Sequence, residues 1–552
     1  MAINKALFEE KTEKDLILCR LSGGYTSEWA PQMPLPWKHV NNYFPPHVKS
    51  KCRQRFQDEI KKGRMLGGIG WTREEVTKFL GKSFYVIPCG AVPKNGDPFG
   101  RIIHDFSYAG DGLNSINTAL IDNSVRYISF IERVRSLSKV LWYVVVDLKN
   151  GYRQLPVHPS EWFSQIYSLG KNEHFIDLCM PFGKANSAKI FCHWVENWVK
   201  AFKLKFHRWV HWDFELESYV DDIFGGANTK ENAKELKEAL IAVGELTSTK
   251  MNLKKCHGPA TSLTILGMLF DSAKQNCRLC PKKTIKYTKY LEMALLKNSL
   301  TTKELEKLVG YVSYASWVEP FGRPFISPFS SAMLRSQPEE QVVYTEYMII
   351  ALKIWILILK ANMGVSYNFL LSKLPNTRDE WFVDASTSWG IGGCCGYKYF
   401  SINKTKLFRF FELYNNCNSK SDILIPYTRL PIAYLELLAA LVGLAAFSAL
   451  NPNSIVRLNS DNTDVVSWLK KGRCKAGIGF RILAAIELLK KKFNLKISPR
   501  YIPGSKNTSA DALSRGTIPT WLCKHGQSLT IDLDSIFNLV SNPLEAWESL
   551  IN

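Results

Sequence analysis

Long apolar runs are scarce in this sequence, and so are marks of export. Met1 to Arg20 mixes acids with bases and has no apolar core of the kind a signal peptide needs. Two apolar stretches stop short of a membrane span. Residues 348–359 are brief and interrupted by Lys353, and residues 437–456 are broken by Asn451, Pro452, Asn453 and Ser454. Both are expected as buried helices, with no membrane partner. The 13 cysteines follow no regular framework, which excludes a disulfide scaffold. Free thiols in an intracellular, reducing compartment are expected, with cytoplasm and nucleus not distinguished. No internal repeat or low-complexity tract occurs, which excludes solenoids and linker-like chains. Asp-Thr-Gly and Asp-Ser-Gly are missing, so an aspartic protease is not expected. The 36 residues after Gly516 are too few for an integrase or recombinase, so such activities, if the element has them, are expected on other chains or in lost regions.

Acid is the under-represented charge. Lys and Arg number 71 against 50 Asp and Glu, a net charge of +21. An excess of this size suits a polyanionic partner, because each phosphate contact releases counterions. It is spread along the chain, notably over 250–289 and 470–506, which suits a long nucleic-acid track better than a localisation tail. The hydrophobic share is 46 % and the charged share 22 %, ordinary values for a chain with real cores. At 552 residues, several domains are expected.

The first forty-five residues are rich in Pro and aromatics and read as an irregular arm. A basic helical pattern covers 48–80, and strands are expected at 84–88, 101–105 and 141–147. Residues 187–202 read as a helix, a hairpin surrounds 219–224, and 282–317 return to helical period. Residues 362–376 read as a connector. A second strand-rich region with long helices runs from Trp381 to Gly516.

Two carboxylate sets carry the chemistry. Leu-Trp-Tyr-Val-Val-Val at 141–146 ends on Asp147, a buried strand delivering an acid at its tip. Tyr-Val-Asp-Asp at 219–222 fits a tight hairpin bearing Asp221 and Asp222. Adjacent acids repel unless a cation sits between them, and three converging acids suit two Mg²⁺ ions on a phosphoryl-transfer site. Taken alone, an Asp-Asp turn is weak. The order DLKNGYRQLPV, Pro-Phe-Gly at 181–183, then YVDD is much stronger, and it resembles the reverse transcriptases of retroelements.

That resemblance implies roles. Asp147, Asp221 and Asp222 are the metal-binding catalytic acids. Tyr152, five residues after Asp147, is the aromatic that screens the sugar 2′ position, and Phe182 lies beside the incoming nucleotide. VPKNGDPFGRIIHDFSYAGDGLN resembles the fingers hairpin, with Lys94 and Arg101 on the triphosphate. Asn186 and Ser187 stand where relatives often have Ala-Pro. NLKKC at 252–256 and LGMLFD at 266–271 continue the palm pattern, with Gly267 resembling the primer grip. Lys282, Lys283, Lys286 and Lys289 are placed to track a duplex. LVGYVSYASWVEPFGRPF at 308–325 is similar to DIRS-like, tyrosine-recombinase retrotransposons.

The second set is Asp384, ending the strand opened by Trp381, Glu436 in an apolar helix, Asp461 after Ile-Val-Arg-Leu-Asn-Ser, and Asp511 in Ala-Asp-Ala-Leu-Ser-Arg. This order resembles ribonuclease H of retroelements and implies a second two-metal site cutting the RNA of a hybrid. Lys470, Lys471, Arg473 and Lys475, with Lys490–Lys492, are expected either to grip the hybrid or to form a solvated basic face. Many relatives carry a His shortly before the last acid. Here none lies between Asp461 and Asp511, which puts rate and product release in question. Cys277 and Cys280 form a Cys-x-x-Cys near Cys256 and His257, four residues able in type to make a zinc site, but the spacing matches no zinc knuckle and zinc is not expected. Cys394 and Cys395 are expected to pack on opposite faces of a strand.

The expected fold is an α+β right-hand polymerase (fingers, palm, thumb) followed by an α/β ribonuclease H-like domain. The expected divisions are an arm over 1–47, fingers and palm over 48–271, a thumb over 272–330, a connection over 331–376, ribonuclease H over 377–516 and a tail over 517–552. The expected function is an RNA-directed DNA polymerase with ribonuclease H activity, the pol product of a DIRS-like or gypsy-like retrotransposon. Its cofactor is Mg²⁺, two per site, with Mn²⁺ as a substitute. Its partners are an RNA template, a DNA primer, the RNA–DNA hybrid and dNTPs. The alternative is a domesticated element that binds nucleic acid without catalysis. A structural particle subunit should carry a zinc knuckle or capsid-like helices, and neither is seen.

Overall fold

The computed structural model describes residues 25–26, 46–94, 97–109, 115–120, 124–418, 431–474 and 477–551. The arm expected over 1–47 lies almost wholly outside the described residues. The chain forms two compact units, Met1–Ile265 and Leu266–Asn552.

The first unit is organised by a four-stranded antiparallel sheet. Its strands run Phe214–Tyr219, Asp222–Ala227, Trp142–Asp147 and His257–Ala260 in spatial order. Trp142–Asp147 is the unbroken apolar run of the sequence. Its central place explains the pattern, because both of its faces are covered. Trp194, Trp198 and Phe202 of the helix Ser187–Phe206 share a core with Val144 and Val146, as do Leu236 and Leu240 of the helix Lys230–Leu246. Gly225 and Gly226 allow the sheet to close tightly. A β-carbon there would lie 1.9 Å from the Glu215 carbonyl oxygen or 2.0 Å from that of Trp142. A three-stranded sheet (Met65–Ile69, Glu173–Asp177, Ile166–Gly170) and a hairpin (Cys89–Lys94 with Asp97–His104) complete the unit.

Two expectations are corrected here. The helical reading of 48–80 is split into helices Pro46–Lys61 and Arg73–Leu80 by the strand Met65–Ile69. Gly63, Gly67, Gly68 and Gly70 all take positive φ, a conformation that stops a helix, and a Thr72–Glu75 capping box starts the next one. The strand expected at 84–88 is an extended segment making one bridge, Val86 to Ile166, and regular pairing begins at Cys89.

The second unit opens with the antiparallel strands Met268–Asp271 and Asn276–Leu279, followed by helices Pro281–Leu295 and Thr302–Ala315, the latter started by a Thr301–Glu304 capping box. The short strand Ser299–Thr301 separates them. Glu346–Ala361 is a buried helix, as the apolar run at 348–359 implied, with Leu352, Ile354 and Trp355 fully enclosed. A six-stranded mixed sheet follows, in the order Lys496–Tyr501, Ile455–Ser460, Trp381–Ala385, Gly390–Cys395, Lys398–Asn403, Gln527–Ser528. Three central strands form an antiparallel meander, and Ile455–Ser460 and Lys496–Tyr501 add in parallel. The helices Ile432–Phe447 and Ile478–Phe493 share the main core of this sheet. The segment Ile432–Leu450 is long and apolar enough to cross a membrane by length and composition. Its Leu435, Leu437, Leu438, Leu441 and Leu444 are instead fully enclosed in that core. The helix Thr508–Ser514 comes so close to the sheet that a β-carbon on Gly392 would lie 2.5 Å from the Leu513 and Ser514 backbone.

Residues 517–552 carry no motif, yet they fold. Gln527–Ser528 pairs in parallel with Lys398–Asn403, and the helices Leu533–Ser541 and Pro543–Ile551 pack on Ile478–Phe493. Trp547 is fully buried, its indole N–H donating to the Ala484 carbonyl at 3.3 Å and its ring meeting Phe325 edge-on. We expect Trp547→Ala to cost about 3–5 kcal/mol, the usual range for emptying such a site. Urea unfolding followed by far-UV circular dichroism checks this, and an unshifted midpoint would show that the tail contributes no packing. The fold is thus an α+β unit followed by a unit that ends in a mixed α/β sheet with helices packed on it, the layout expected from the sequence.

Two candidate carboxylate centres

The first centre sits where the strand Trp142–Asp147 ends. Asp147 lies directly across from Asp222 in the antiparallel register, and Asp222 pairs on its other side with Tyr219. Val220 and Asp221 form the hairpin tip. Val220 has φ +55°, costly for a β-branched residue and a strain the surrounding pairing must hold. The Leu148 N–H donates to the Asp221 carbonyl at 2.8 Å, closing the tip onto the strand that bears Asp147.

The electrostatics are those of acids crowded out of water. Asp147 is 5 % exposed, and its Oδ1 is buried without a hydrogen-bond donor. Its Oδ2 accepts from Lys255 Nζ at 3.0 Å. Burial pushes the Asp222 carboxyl up to about 6, the Asp221 and Asp147 charges add to this, and Lys255 opposes it. Asp221 is raised for the same first reason. An orphaned carboxylate oxygen beside acids that resist ionisation fits a divalent cation. Lys255 is a residue that reading the sequence did not assign. NLKKC was visible, but only the bond from the Asn252 N–H to the Asp147 carbonyl (2.7 Å) shows where it folds.

The next turn positions an aromatic wall. Asn150 and Gly151 both take left-handed backbone angles, φ +68° and +46°, the conformation that an Asn-Gly pair favours. They turn the chain into Gly151–Gln154 and set the Tyr152 ring 4.9 Å from Phe182 and 4.9 Å from Phe191. Phe182 is 56 % exposed. Asn117 clamps the loop that carries it, donating to the Gly183 carbonyl at 3.0 Å and accepting from the Ala185 N–H at 2.8 Å. Nothing in the sequence singled out Asn117. Lys94 and Arg101 fall on the two strands of the hairpin Cys89–Lys94 and Asp97–His104, and their side chains lie outside the described residues.

The second centre lies in the six-stranded sheet. Asp384, Glu436 and Asp461 each offer an oxygen, all within 4.8 Å of one another, and they are the one such group of three among the described residues. Asp384 and Asp461 come from the ends of adjacent parallel strands, and Glu436 from the core helix. Burial pushes Glu436 up to about 9, with the Asp384 and Asp461 charges adding and the Ala385 backbone opposing. Its Oε2 has no hydrogen-bond donor. Asp384 is pushed up to about 7, again first by burial, while the Ser514 hydroxyl, 2.5 Å from its Oδ2, opposes. This donor set also fits a divalent cation. Asp511 is not among these three, but its charge adds to the rise of Asp384 and Glu436, and its Oδ1 accepts from Arg515 Nε at 2.7 Å. Gly504 packs beside Asp461, a β-carbon there lying 3.1 Å from Asp461 Oδ2.

Part of the expected basic grip is corrected. Lys491 is buried against Glu319 at 3.5 Å, and Lys490 pairs with Glu487 at 2.6 Å, so these two neutralise buried acids instead of facing a hybrid. Lys470 and Lys471 end the helix Thr463–Lys471 in the exposed last turn, and Lys475 lies outside the described residues. Cys256 and His257 fall in the first unit and Cys277 and Cys280 in the second, and the metal-ligating trio found among the described residues includes none of them. Cys394 and Cys395 are both buried in a strand, as expected of packing residues.

A family model described as reverse transcriptase (RNA-dependent DNA polymerase) matches residues 98–270, so the chain carries a reverse transcriptase domain. Genome polyproteins of two isolates of Petunia vein clearing virus, Shepherd and Hohn, are 25 % identical over 205 residues, or 37 % of this chain. The chain spans about 8 % of the length of these relatives. Among solved structures, a foamy viral protease-reverse transcriptase in complex with double-stranded DNA is similar at a TM-score of 0.48 and 14 % identity, covering 89 % of this chain and 79 % of that one. The foamy viral protein in complex with an RNA/DNA hybrid gives 0.46 and 13 %, covering 92 % and 84 %.

Proposed function

We propose that this chain copies RNA into DNA and degrades the RNA strand of the hybrid, as the pol product of a retroelement. The observation that carries the reading is the pairing of Asp147 with Asp222 beside a strained hairpin tip, inside the span that matches reverse transcriptases. When bound, Mg²⁺ ions at each centre supply Lewis-acid stabilisation of the entering and leaving oxygens in phosphoryl transfer. Asp147, Asp221 and Asp222 hold them at the first centre, and Asp384, Glu436, Asp461 and Asp511 at the second. Tyr152 presents a ring where a ribose 2′-hydroxyl would need space, which selects deoxynucleotides, and Phe182 forms the neighbouring wall. Lys94 and Arg101 bind the triphosphate, one as a point charge and one as a planar fork. Template, primer and hybrid are drawn by the net charge of +21. The domain divisions are those read from the sequence, from fingers and palm over 48–271 to ribonuclease H over 377–516. The DIRS-like affinity rests on 308–325. A reducing intracellular site of action suits cysteines that follow no regular framework along the chain.

The test gives the purified chain a DNA primer on a labelled RNA template, with dNTPs and Mg²⁺. Both primer lengthening and RNA shortening are expected. Tight binding of the hybrid with neither product, across templates and metals, would instead support a non-catalytic nucleic-acid-binding protein.

A further inference from the structure

The turn that carries Tyr152 is bolted to the segment that carries Phe182 by a buried ion pair for which the proposed chemistry has no use. Arg153 Nη1 lies 2.6 Å from Asp177 Oδ1 and 2.5 Å from Oδ2. Its Nη2 reaches Glu59 Oε2 at 3.2 Å. The Arg153 side chain is 13 % exposed and that of Asp177 only 2 %. Asp177 is fully subscribed. Its Oδ1 also accepts from the Cys179 N–H at 3.1 Å, and its Oδ2 from the Tyr167 hydroxyl at 3.1 Å. The backbone continues the bolt. The Met180 N–H donates to the Leu155 carbonyl at 2.8 Å, and the Val157 N–H to that of Leu178 at 2.9 Å. The two strips, 152–157 and 177–182, therefore run side by side, and one end of the pairing is the 4.9 Å contact between the Tyr152 and Phe182 rings.

We propose that the Arg153–Asp177 pair, with Tyr167 behind it, is a positioning device for sugar selection: it fixes Tyr152 against Phe182 and so sets how strictly ribose is refused. The inference rests on the reading of Tyr152 as the sugar screen. Three features argue for positioning over plain stability. A planar guanidinium on a carboxylate has one geometry, whereas an ammonium has many. A buried charge pair contributes little net stability over an apolar pair but specifies one arrangement. Discrimination by steric exclusion is also sensitive to displacements well under 1 Å, because the excluded group is a single hydroxyl.

The experiment measures kcat/KM for one dNTP and for the matching rNTP opposite the same template base, in the full chain. Variants are Arg153→Lys and Tyr167→Phe, with Tyr152→Val as the ceiling. The ratio of dNTP to rNTP efficiency is expected to fall about tenfold in Arg153→Lys and about threefold in Tyr167→Phe. A merely structural role lowers both efficiencies together and leaves the ratio unchanged, and that outcome overturns the proposal. Where Arg153→Lys does not fold, Tyr167→Phe decides, since it deletes one hydroxyl and keeps the ion pair. A wild type that incorporates neither nucleotide sinks the polymerase reading and this one with it. A wild type that selects normally beside variants of unchanged ratio sinks this one alone.

Discussion

Primer extension on an RNA template is expected to fall by at least about 10³-fold in Asp222→Asn, with the fold intact. Asn keeps the shape of Asp and removes its charge. Asp222 stands across from Asp147 and next to Asp221, so one charge of a crowded trio disappears. Charge stabilisation of several kcal/mol at a phosphoryl-transfer centre converts to that loss, at about 1.4 kcal/mol per factor of ten. Stability should move the other way. The Asp222 carboxyl is pushed up to about 6 by burial and its neighbours, so at neutral pH its charge is held at a cost that Asn does not incur. Single-turnover extension and a thermal melt together check both signs. Extension within tenfold of the wild type would mean that this hairpin is not the polymerase centre.

The second large effect is expected at Glu436→Gln. Hybrid cleavage should drop by about 10²–10³-fold while primer extension persists. Stability should rise, and the rise should depend on pH. The Glu436 pKa is pushed from the usual 4.5 to about 9 in the folded chain. Between those values the native state binds more protons than the unfolded state, so stability falls as pH climbs through this window and is intact below it. Gln removes that fall. In the absence of divalent metal, the variant should gain on the wild type by several kcal/mol (about 5) at pH 9 and by no more than about 1 kcal/mol at pH 5. Urea unfolding at the two pH values measures this. An equal offset at both would mean that Glu436 ionises freely, contrary to its burial. Adding Mg²⁺ should stabilise the wild type more than the variant, since the oxygen of Glu436 without a donor is what a cation would occupy.

Much of each centre is legible because local rules place its parts. A short Val-rich apolar run ending on Asp147 reads as a buried strand with an acid at its mouth, and is one. The left-handed turn at Asn150 and Gly151, which precedes Tyr152, was not read from the sequence although an Asn-Gly pair favours it. YVDD between apolar residues reads as a hairpin and is one. The helix at 346–361 followed from composition alone. Local rules fail where the deciding partner is distant or where composition is ambiguous. Glycines at 63–70 turned a helical pattern into a strand. The motif-free tail found its fold by filling a groove that only the assembled helices of the second unit create.

The sequence by itself determined which residues are acids, the order in which they come, and the short elements that present them, because strand period, turn conformation and capping act over a few residues. Tertiary structure alone decided which charges meet. Lys255 reaches Asp147 across 108 residues of chain, Lys491 is spent on a buried Glu319, and Arg153 locks onto Asp177. The cost of an unpaired buried charge depends on what surrounds it in space, and no pattern along the chain encodes that neighbourhood.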